Sequence, residues 1–159
     1  RDGVIGKPCL IQAMNAHDIY LRNPPPEANW RRDPAKVGGA AFIQLAVHHL
    51  NLASWMLGQG IQKVAALSSC GNTVFAKDET TVASALFADG AAATFTASYA
   101  TSGNQFAVHG TEGFIRMFDG NLTLKGARPF RGKVFDYLEP SREVVLTSGE
   151  LKPRAERDI

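Results

Sequence analysis

The chain has 159 residues, of which 45% are hydrophobic and 20% are charged, and this is typical of one soluble globular domain with a hydrophobic core. The net charge is only +2, and the basic residues near its carboxyl end are not interleaved with aromatic residues, so we expect no nucleic-acid partner. No apolar run approaches the roughly 20 residues that cross a bilayer, and no signal peptide opens the chain. We therefore expect a cytoplasmic protein that has no membrane partner.

The two cysteines, Cys9 and Cys70, lie far apart in apolar runs and form no CxxC pair. We expect both to be buried thiols in a reduced cytoplasm. No set of histidines, cysteines and carboxylates has the spacing of metal ligands, and the adjacent His48 and His49 diverge on a helix. We therefore expect no metal site.

The first elements are a strand, a long loop and a helix. The strand is predicted from Cys9 to about Ala16, with polar residues at its far end. The next segment, LRNPPPEANWRRDPAKVGG, contains three consecutive prolines, which fix φ and remove backbone donors. We expect it to be an ordered loop without helix or central strand, anchored by a buried Trp30. A helix is then predicted from about Ala40 to Leu57, with Gly58 as its C-cap.

After this helix the apolar period changes from 3.6 to 2, which predicts about seven further strands. A strong hairpin signal stands at Asp89-Gly90, and similar turns are predicted at Gly110 to Gly113 and at Asp119-Gly120. The later segments KVFDYLEP and REVVLTS are also predicted strands. The last residues, 150–159, are charged and lack apolar periodicity, so we expect a frayed tail or a helix start cut short.

Hairpins imply antiparallel pairing, and the alternation of apolar and polar residues implies a sheet with one buried face. We predict an α+β fold over residues 1–149: an open, mainly antiparallel sheet with helices on one face. The other face is expected either to meet solvent or to form a contact between copies of the chain. Strands such as AAATFTASYA, where Thr, Ser and Tyr alternate with Ala and Phe, suit either arrangement.

The predicted helix carries polar side chains that helical spacing places on one stripe. Gln44, His48 and Asn51 are four and then three residues apart, whereas His49 lies about 100° away and is expected at the edge of the apolar face. The stripe can be a satisfied structural network, or it can be the floor of a substrate pocket under the proline-rich loop. In the pocket His48 is a candidate general acid or base, because an ordinary histidine pKa of about 6.5 permits proton exchange near neutrality.

Four segments in order resemble the C-terminal domain of the Gfo/Idh/MocA oxidoreductases, which are relatives of glucose-fructose oxidoreductase and inositol dehydrogenase. The segments are GKPCLIQA, WRRDPAKVGGAAFIQLAVHHLNLASWMLG, DETTVASALFADGAAATFTAS and VHGTEGFIRM, and together they cover most of residues 6–117. The resemblance implies a substrate-binding and oligomerisation domain that works beside an N-terminal Rossmann domain. That second domain binds NAD or NADP, and no GxGxxG motif for it occurs in this chain.

The resemblance also implies that His48 is the proton acceptor during hydride transfer between a nicotinamide and a carbinol carbon of a sugar, polyol or related molecule. Two positions depart from the family pattern, because Gln44 and Asn51 stand where the family usually has aspartates. Both changes remove negative charge, and an amide can orient the imidazole but cannot favour its protonated form as a carboxylate does. A different or more neutral substrate, or a loss of activity, therefore stays open.

Further substrate-binding candidates are His17, Arg32 and Trp30. His17 ends the first strand, where the family's strands meet the pocket, and otherwise it is a surface histidine. Arg31 or Arg32 could bind an anionic substrate group with its fork of donors, or could face solvent or pair with Asp33. Trp30 is expected to anchor the loop in the core or to line the pocket.

We therefore expect this chain to be the substrate domain of an NAD(P)-dependent oxidoreductase, inactive by itself and forming a homodimer or tetramer through the open sheet face. The alternative is a non-catalytic domain of the same fold that binds a small molecule or mediates assembly.

Overall fold

The computed structural model describes residues 5–75, 78–118, 121–126 and 143–146. Eight strands are present in these residues: β1 Pro8–Ala16, β2 Ile61–Ser69, β3 Thr80–Phe87, β4 Ala92–Ser98, β5 Gly103–Gly110, β6 Gly113–Phe118, β7 Asn121–Gly126 and β8 Glu143–Leu146. They form one sheet in the order β2-β3-β4-β1-β5-β6-β7-β8. The predicted strand in KVFDYLEP, the turn at Asp119-Gly120 and the predicted tail at 150–159 lie outside the described residues.

The sheet is open and mainly antiparallel, as predicted. Six of its neighbouring pairs run antiparallel, and β1 with β4 is the parallel pair. This pair is parallel because the long connection through the loop, the helix and two strands brings the chain back in the same direction. The hairpin predicted at Asp89-Gly90 is present, where Gly90 has a φ of +89° and Ala91 N donates to Asp89 Oδ1 at 3.0 Å.

Three short helical turns interrupt the segment that was predicted to contain no helix. They are α1 Ile19–Arg22, a 3₁₀ turn Trp30–Arg32 and α2 Pro34–Val37. The local caps explain this error, because Asn29 Oδ1 accepts from Arg31 N and Asp33 Oδ1 accepts from Ala35 N. Side-chain caps of this kind satisfy the first free N–H groups of a turn even where prolines precede it.

The predicted helix is present but has two parts. A π-helical segment, Phe42–Ala46, leads directly into α3, Val47–Leu57. We call residues 42–57 the site helix. Gly58 ends it with a φ of +64°, and its N–H donates to Ser54 O, which confirms the predicted C-cap.

The site helix packs against one face of the sheet, and that face forms the core. Ala53 of α3 is fully buried in a cluster with Ile11, Phe87 and Phe95. On the opposite face no helix among the described residues covers the strands, and Val82 of β3 is 49% exposed. The predicted placement of helices on one face is therefore confirmed. No helix in the described residues has both the length and the apolar character needed to cross a bilayer.

The two cysteines are exposed, so the expectation that both are buried is wrong. Cys9 lies at the start of β1, where its thiol makes a contact of 3.4 Å to the carbonyl of His109. Cys70 directly follows β2, an edge strand that is exposed along its whole length. Apolar neighbours in sequence did not lead to burial here because neither residue reaches the surface that the site helix covers.

The start of the site helix is held by Asp78, which is distant in sequence. Ala40 N donates to Asp78 Oδ1 at 2.5 Å, Phe42 N donates to Oδ2 at 3.1 Å, and Ala41 N donates to the Asp78 carbonyl at 3.1 Å. These are backbone donors that a helix cannot satisfy by itself, and a carboxylate also suits the positive end of the helix dipole. Asp78 has a φ of +31°, a conformation that aspartate tolerates better than most residues.

A contact from β1 secures the π-helical segment. Asn15 Nδ2 donates to the carbonyl of Leu45 at 3.2 Å. A change from π-helical to α-helical bonding leaves carbonyls short of backbone donors, so a side-chain donor from the sheet compensates. The chain therefore fixes the wider turn that comes just before His48.

We predict that Asp78→Asn lowers the free energy of unfolding by about 1–2 kcal/mol, as expected for loss of one cap bond and the charge. Asparagine tolerates the same φ, but its NH₂ group faces a backbone donor instead of accepting from it. Urea unfolding of the protein measures the change. Asp33→Asn, which alters the cap of the four-residue α2, is the control. Equal losses in the two variants would contradict a special role for Asp78.

Candidate functional site

The two adjacent histidines lie on different faces of the site helix. His48 is exposed, together with Asn51 and Trp55, which are three and seven residues further on. His49 is only 6% exposed and packs against Phe106, with ring centroids 5.4 Å apart. His48 is thus free to meet a ligand, whereas His49 is part of the packing against β5.

Gln44 is separated from the exposed stripe that the sequence predicts. It lies in the π-helical segment, it is partly buried, and its Oε1 accepts from the Tyr99 hydroxyl at 2.8 Å. Its Nε2 is buried without a hydrogen-bond partner among the described residues. The structure therefore ties Gln44 to the sheet one turn before His48, while His48 and Asn51 point outward.

Aromatic rings surround the Tyr99 side chain, which is 1% exposed. The ring centroids of His17, Tyr20 and Phe75 lie 4.9, 4.7 and 5.0 Å from that of Tyr99. Burial, and secondarily Tyr20, raises the pKa of Tyr99, so its hydroxyl stays protonated at neutral pH. The His17 ring therefore contacts the site indirectly, by packing against Tyr99. The Nδ1 atom of His17 is buried without a hydrogen-bond partner among the described residues.

The proline-rich loop carries Trp30, Arg31 and Arg32 in its 3₁₀ turn. Trp30 is 49% exposed, so the expectation that it anchors the loop in the core is wrong; Pro25 is the buried residue of the loop. Arg32 Nη1 donates to the Pro25 carbonyl at 3.2 Å and thereby holds the loop. The Arg31 guanidinium lies 4.5 Å from the centre of the Trp30 ring, and its buried Nε has no partner among the described residues.

Two acidic residues of this region, Asp78 and Glu79, were not among the site residues expected from the sequence. Besides Asp78, the fully buried Glu79 accepts from Asn72 N and Asn72 Nδ2, both at 2.8 Å, and from Thr73 N. Burial alone would raise the pKa of Glu79, but these hydrogen bonds outweigh it and lower the pKa. The signal in the sequence was two adjacent acids directly before a strand, although nothing local tells that the partners of Asp78 lie at a helix start and those of Glu79 within the same β2–β3 connection.

An open cleft of about 540 Å³ lies where the site helix begins. It is lined by Gly38, Gly39, Phe42, Ile43, Ser68, Ser69, Cys70 and Asp78. In the described part of the chain no three His, Cys, Asp or Glu side chains gather as they would around a metal ion. The arrangement is thus a histidine on a helix surface beside a hydrogen-bonded amide, an aromatic cluster and a small cleft.

The chain belongs to the GFO/IDH/MocA C-terminal domain family, whose model matches residues 1–116. This finding confirms the resemblance stated from the four sequence segments. No curated protein matches the chain.

Many solved structures share the fold at low identity. An NAD-binding oxidoreductase from Klebsiella pneumoniae has a TM-score of 0.73 and 22% identity, and the match covers 89% of this chain and 40% of the oxidoreductase chain. A levoglucosan dehydrogenase in complex with NADH and levoglucosan has a TM-score of 0.72 and 20% identity, covering 92% and 41%. An inositol dehydrogenase homologue with NAD⁺ from Azotobacter vinelandii has a TM-score of 0.70 and 17% identity, covering 96% and 42%. The chain therefore spans about two fifths of these proteins.

We predict that His49 makes the stability of the protein depend on pH. Burial, and secondarily the charge of His48, lowers the pKa of His49, while Asn104 opposes this shift. A lowered pKa in the folded state means that the stabilisation is full above the unfolded value of about 6.5 and is lost as the pH falls through the folded pKa.

Urea unfolding between pH 5 and pH 8 tests this prediction. His49→Leu should flatten the loss of stability on acidification relative to the wild type. If the free energy of unfolding falls with the same slope against pH in the wild type and in His49→Leu, His49 does not titrate differently in the folded and unfolded states.

Proposed function

We propose that this domain supplies the substrate side of an NAD(P)-dependent oxidoreductase of the cytoplasm. The reaction is hydride transfer between a nicotinamide and the hydroxyl or carbonyl carbon of a sugar, polyol or related small molecule. The observation that carries the proposal is the exposed His48 on a helix that the sheet holds rigidly on its other side. A proton acceptor on a rigid element is what this chemistry needs.

The surface around His48 supports a site completed by another domain. Large apolar side chains also lie exposed on the site helix, with Ile43 at 57%, Val47 at 43% and Trp55 at 75%. Such patches are typical of surfaces that another protein unit covers, and ligand pockets occur preferentially at domain interfaces. Because this chain spans about two fifths of its solved relatives and holds no GxGxxG motif, a further domain would bind most of the dinucleotide.

The residues of this chain have distinct tasks in that reaction. His48 takes the proton of the substrate hydroxyl during oxidation and returns it during reduction. The bound nicotinamide would supply the hydride-accepting carbon. Asn51 offers one donor and one acceptor beside His48 and orients a substrate hydroxyl. Gln44 and His17 bind substrate from the Tyr99 side, and the loop with Trp30 and Arg32 covers it.

We predict that His48→Ala in the full-length protein lowers kcat by about 10²-fold or more, the usual scale for loss of a general acid or base. Nicotinamide absorbance in a screen of sugars and polyols measures the rate. Val47→Ala is the control, since it removes an adjacent exposed side chain that cannot carry a proton, and its kcat should stay near the wild-type value. An unchanged rate in His48→Ala would instead favour a non-catalytic binding or assembly domain.

We also propose that two or four copies assemble through the open sheet face. Leu67, Val82 and Phe118 lie on this face and are 83%, 49% and 50% exposed, with Thr94 and Thr96 between them. A mixed apolar and hydroxyl surface that pairs with itself suits an isologous contact between copies.

The two faces of β2 provide a matched test of this assembly. Leu67 pairs with Val82 on the open face, whereas Val64 pairs with Ala85 on the helix side, and both are exposed. Leu67→Lys should therefore reduce the assembly to a smaller species in light scattering, because it places charge in the contact, while Val64→Lys should not. Assembly that survives Leu67→Lys unchanged would place the contact elsewhere.

A further inference from the structure

One polar side chain of β1, that of Asn15, faces the site helix. Alternate residues of a strand share a face, so Asn15 lies on the same face as the buried Ile11 and Ala13. Its amide nitrogen donates to the Leu45 carbonyl at 3.2 Å. An amide on an otherwise apolar face needs a hydrogen-bond partner, and the helix backbone supplies one.

This bond is made where the site helix changes its hydrogen-bonding pattern. The segment Phe42–Ala46 is π-helical and α3 follows it directly, so the Leu45 carbonyl lies at the junction of the two. In an uninterrupted α-helix that carbonyl would accept from the backbone N–H of His49, four residues further on. Here it also accepts from a side chain of the sheet. Asn15 therefore ties the junction to β1.

The junction decides where the polar side chains of the site helix point. Gln44 and His48 are four residues apart and would share a face in a continuous α-helix. Instead Gln44 is partly buried and accepts from the Tyr99 hydroxyl at 2.8 Å, whereas His48 is exposed. A π-helical turn holds more residues than an α-helical turn, so it rotates the residues on its two sides relative to each other. A shift of the junction would therefore move the His48 imidazole.

We propose that Asn15 is a positioning residue for His48. Its bond to the Leu45 carbonyl fixes the π-helical turn, and the turn fixes the direction from which the imidazole meets the substrate hydroxyl. The inference rests on the proposed function, in which His48 takes the proton of that hydroxyl, and it assigns to Asn15 an effect that passes through the helix backbone. A misplacement of about 1 Å that originates away from the reacting atoms can cost about 10²-fold in rate.

Two substitutions of Asn15 form a matched pair for the test. Asn15→Asp keeps the shape of the side chain, has no donor when it is ionised and regains an O–H donor when it is protonated. Asn15→Leu has a similar size, never has a donor and does not titrate. Both are made in the full-length protein, and His48→Ala is measured beside them.

The assay follows nicotinamide absorbance between pH 5 and pH 8. The probes are D-glucose, D-galactose, myo-inositol and sorbitol, each with NAD⁺ and with NADP⁺. Urea unfolding sets a temperature at which each variant is folded, so that a loss of stability alone does not change kcat.

At pH 8 both Asn15 variants should lower kcat by about tenfold or more and change KM less, because a misdirected base slows the chemical step while substrate binding persists. Burial beside a carbonyl raises the pKa of an aspartate. The kcat of Asn15→Asp, divided by the wild-type kcat at the same pH, should therefore rise toward pH 5 as the donor returns. The corresponding ratio for Asn15→Leu should stay constant.

The outcomes separate the inference from the proposed function. A folded Asn15→Leu with the wild-type kcat would overturn the inference, even where Asn15→Asp fails to fold. A ratio for Asn15→Asp that is equally low at pH 5 and pH 8 would also overturn it, since the donor would then be irrelevant. If His48→Ala lowers kcat and the Asn15 variants do not, the proposed function stands without the inference. If no probe is turned over, or His48→Ala leaves the rate unchanged, the proposed function fails and the inference fails with it.

Discussion

The bonds from Asp78 to the start of the site helix are the constraint on which the rest of the site depends. They join the loop before β3 to the start of a helix, 36 to 38 residues earlier in the chain, with both carboxylate oxygens and the backbone carbonyl in use. Glu79, the next residue, holds the earlier part of the same loop through buried hydrogen bonds. Two adjacent acids thereby set where the helix starts and how the strand beside it enters the sheet.

With its start set, the site helix can present different residues to the sheet and to the outside. Ala53 lets α3 approach the sheet closely, and the donor from Asn15 to Leu45 supports the π-helical turn. The wider turn directs Gln44 toward Tyr99, whereas the α-helical part leaves His48 exposed. Interruptions of this kind occur frequently at functional sites, because they displace side chains without ending the helix.

The amides at positions 44 and 51 give this site a different electrostatic character from one built on aspartates. A buried carboxylate at position 44 would repel an anionic ligand and attract hydroxyl donors. Gln44 is neutral, and its oxygen accepts from the Tyr99 hydroxyl, so no negative charge stands at this position. The two departures from the family pattern are therefore consistent with a change of substrate and do not by themselves require loss of activity.

Much of the fold could be predicted from the sequence because the signals are local. The change in apolar period after Gly58, the Asp89-Gly90 turn and the three-four spacing on the helix each depend on neighbouring residues. The family followed from four such segments in order, and the placement of His48 and His49 on different faces followed from helical geometry alone.

Only the tertiary structure decided which polar groups meet. The partners of Asp78, Glu79 and Gln44 are up to 55 residues away in sequence, so no local pattern reveals them. The exposure of Cys9, Cys70 and Trp30 likewise depends on which surface the site helix covers, since burial is a property of packed elements and not of neighbours in the chain. The sequence by itself determined the elements and the family, and the packing determined that Gln44 meets Tyr99 whereas His48 stays exposed.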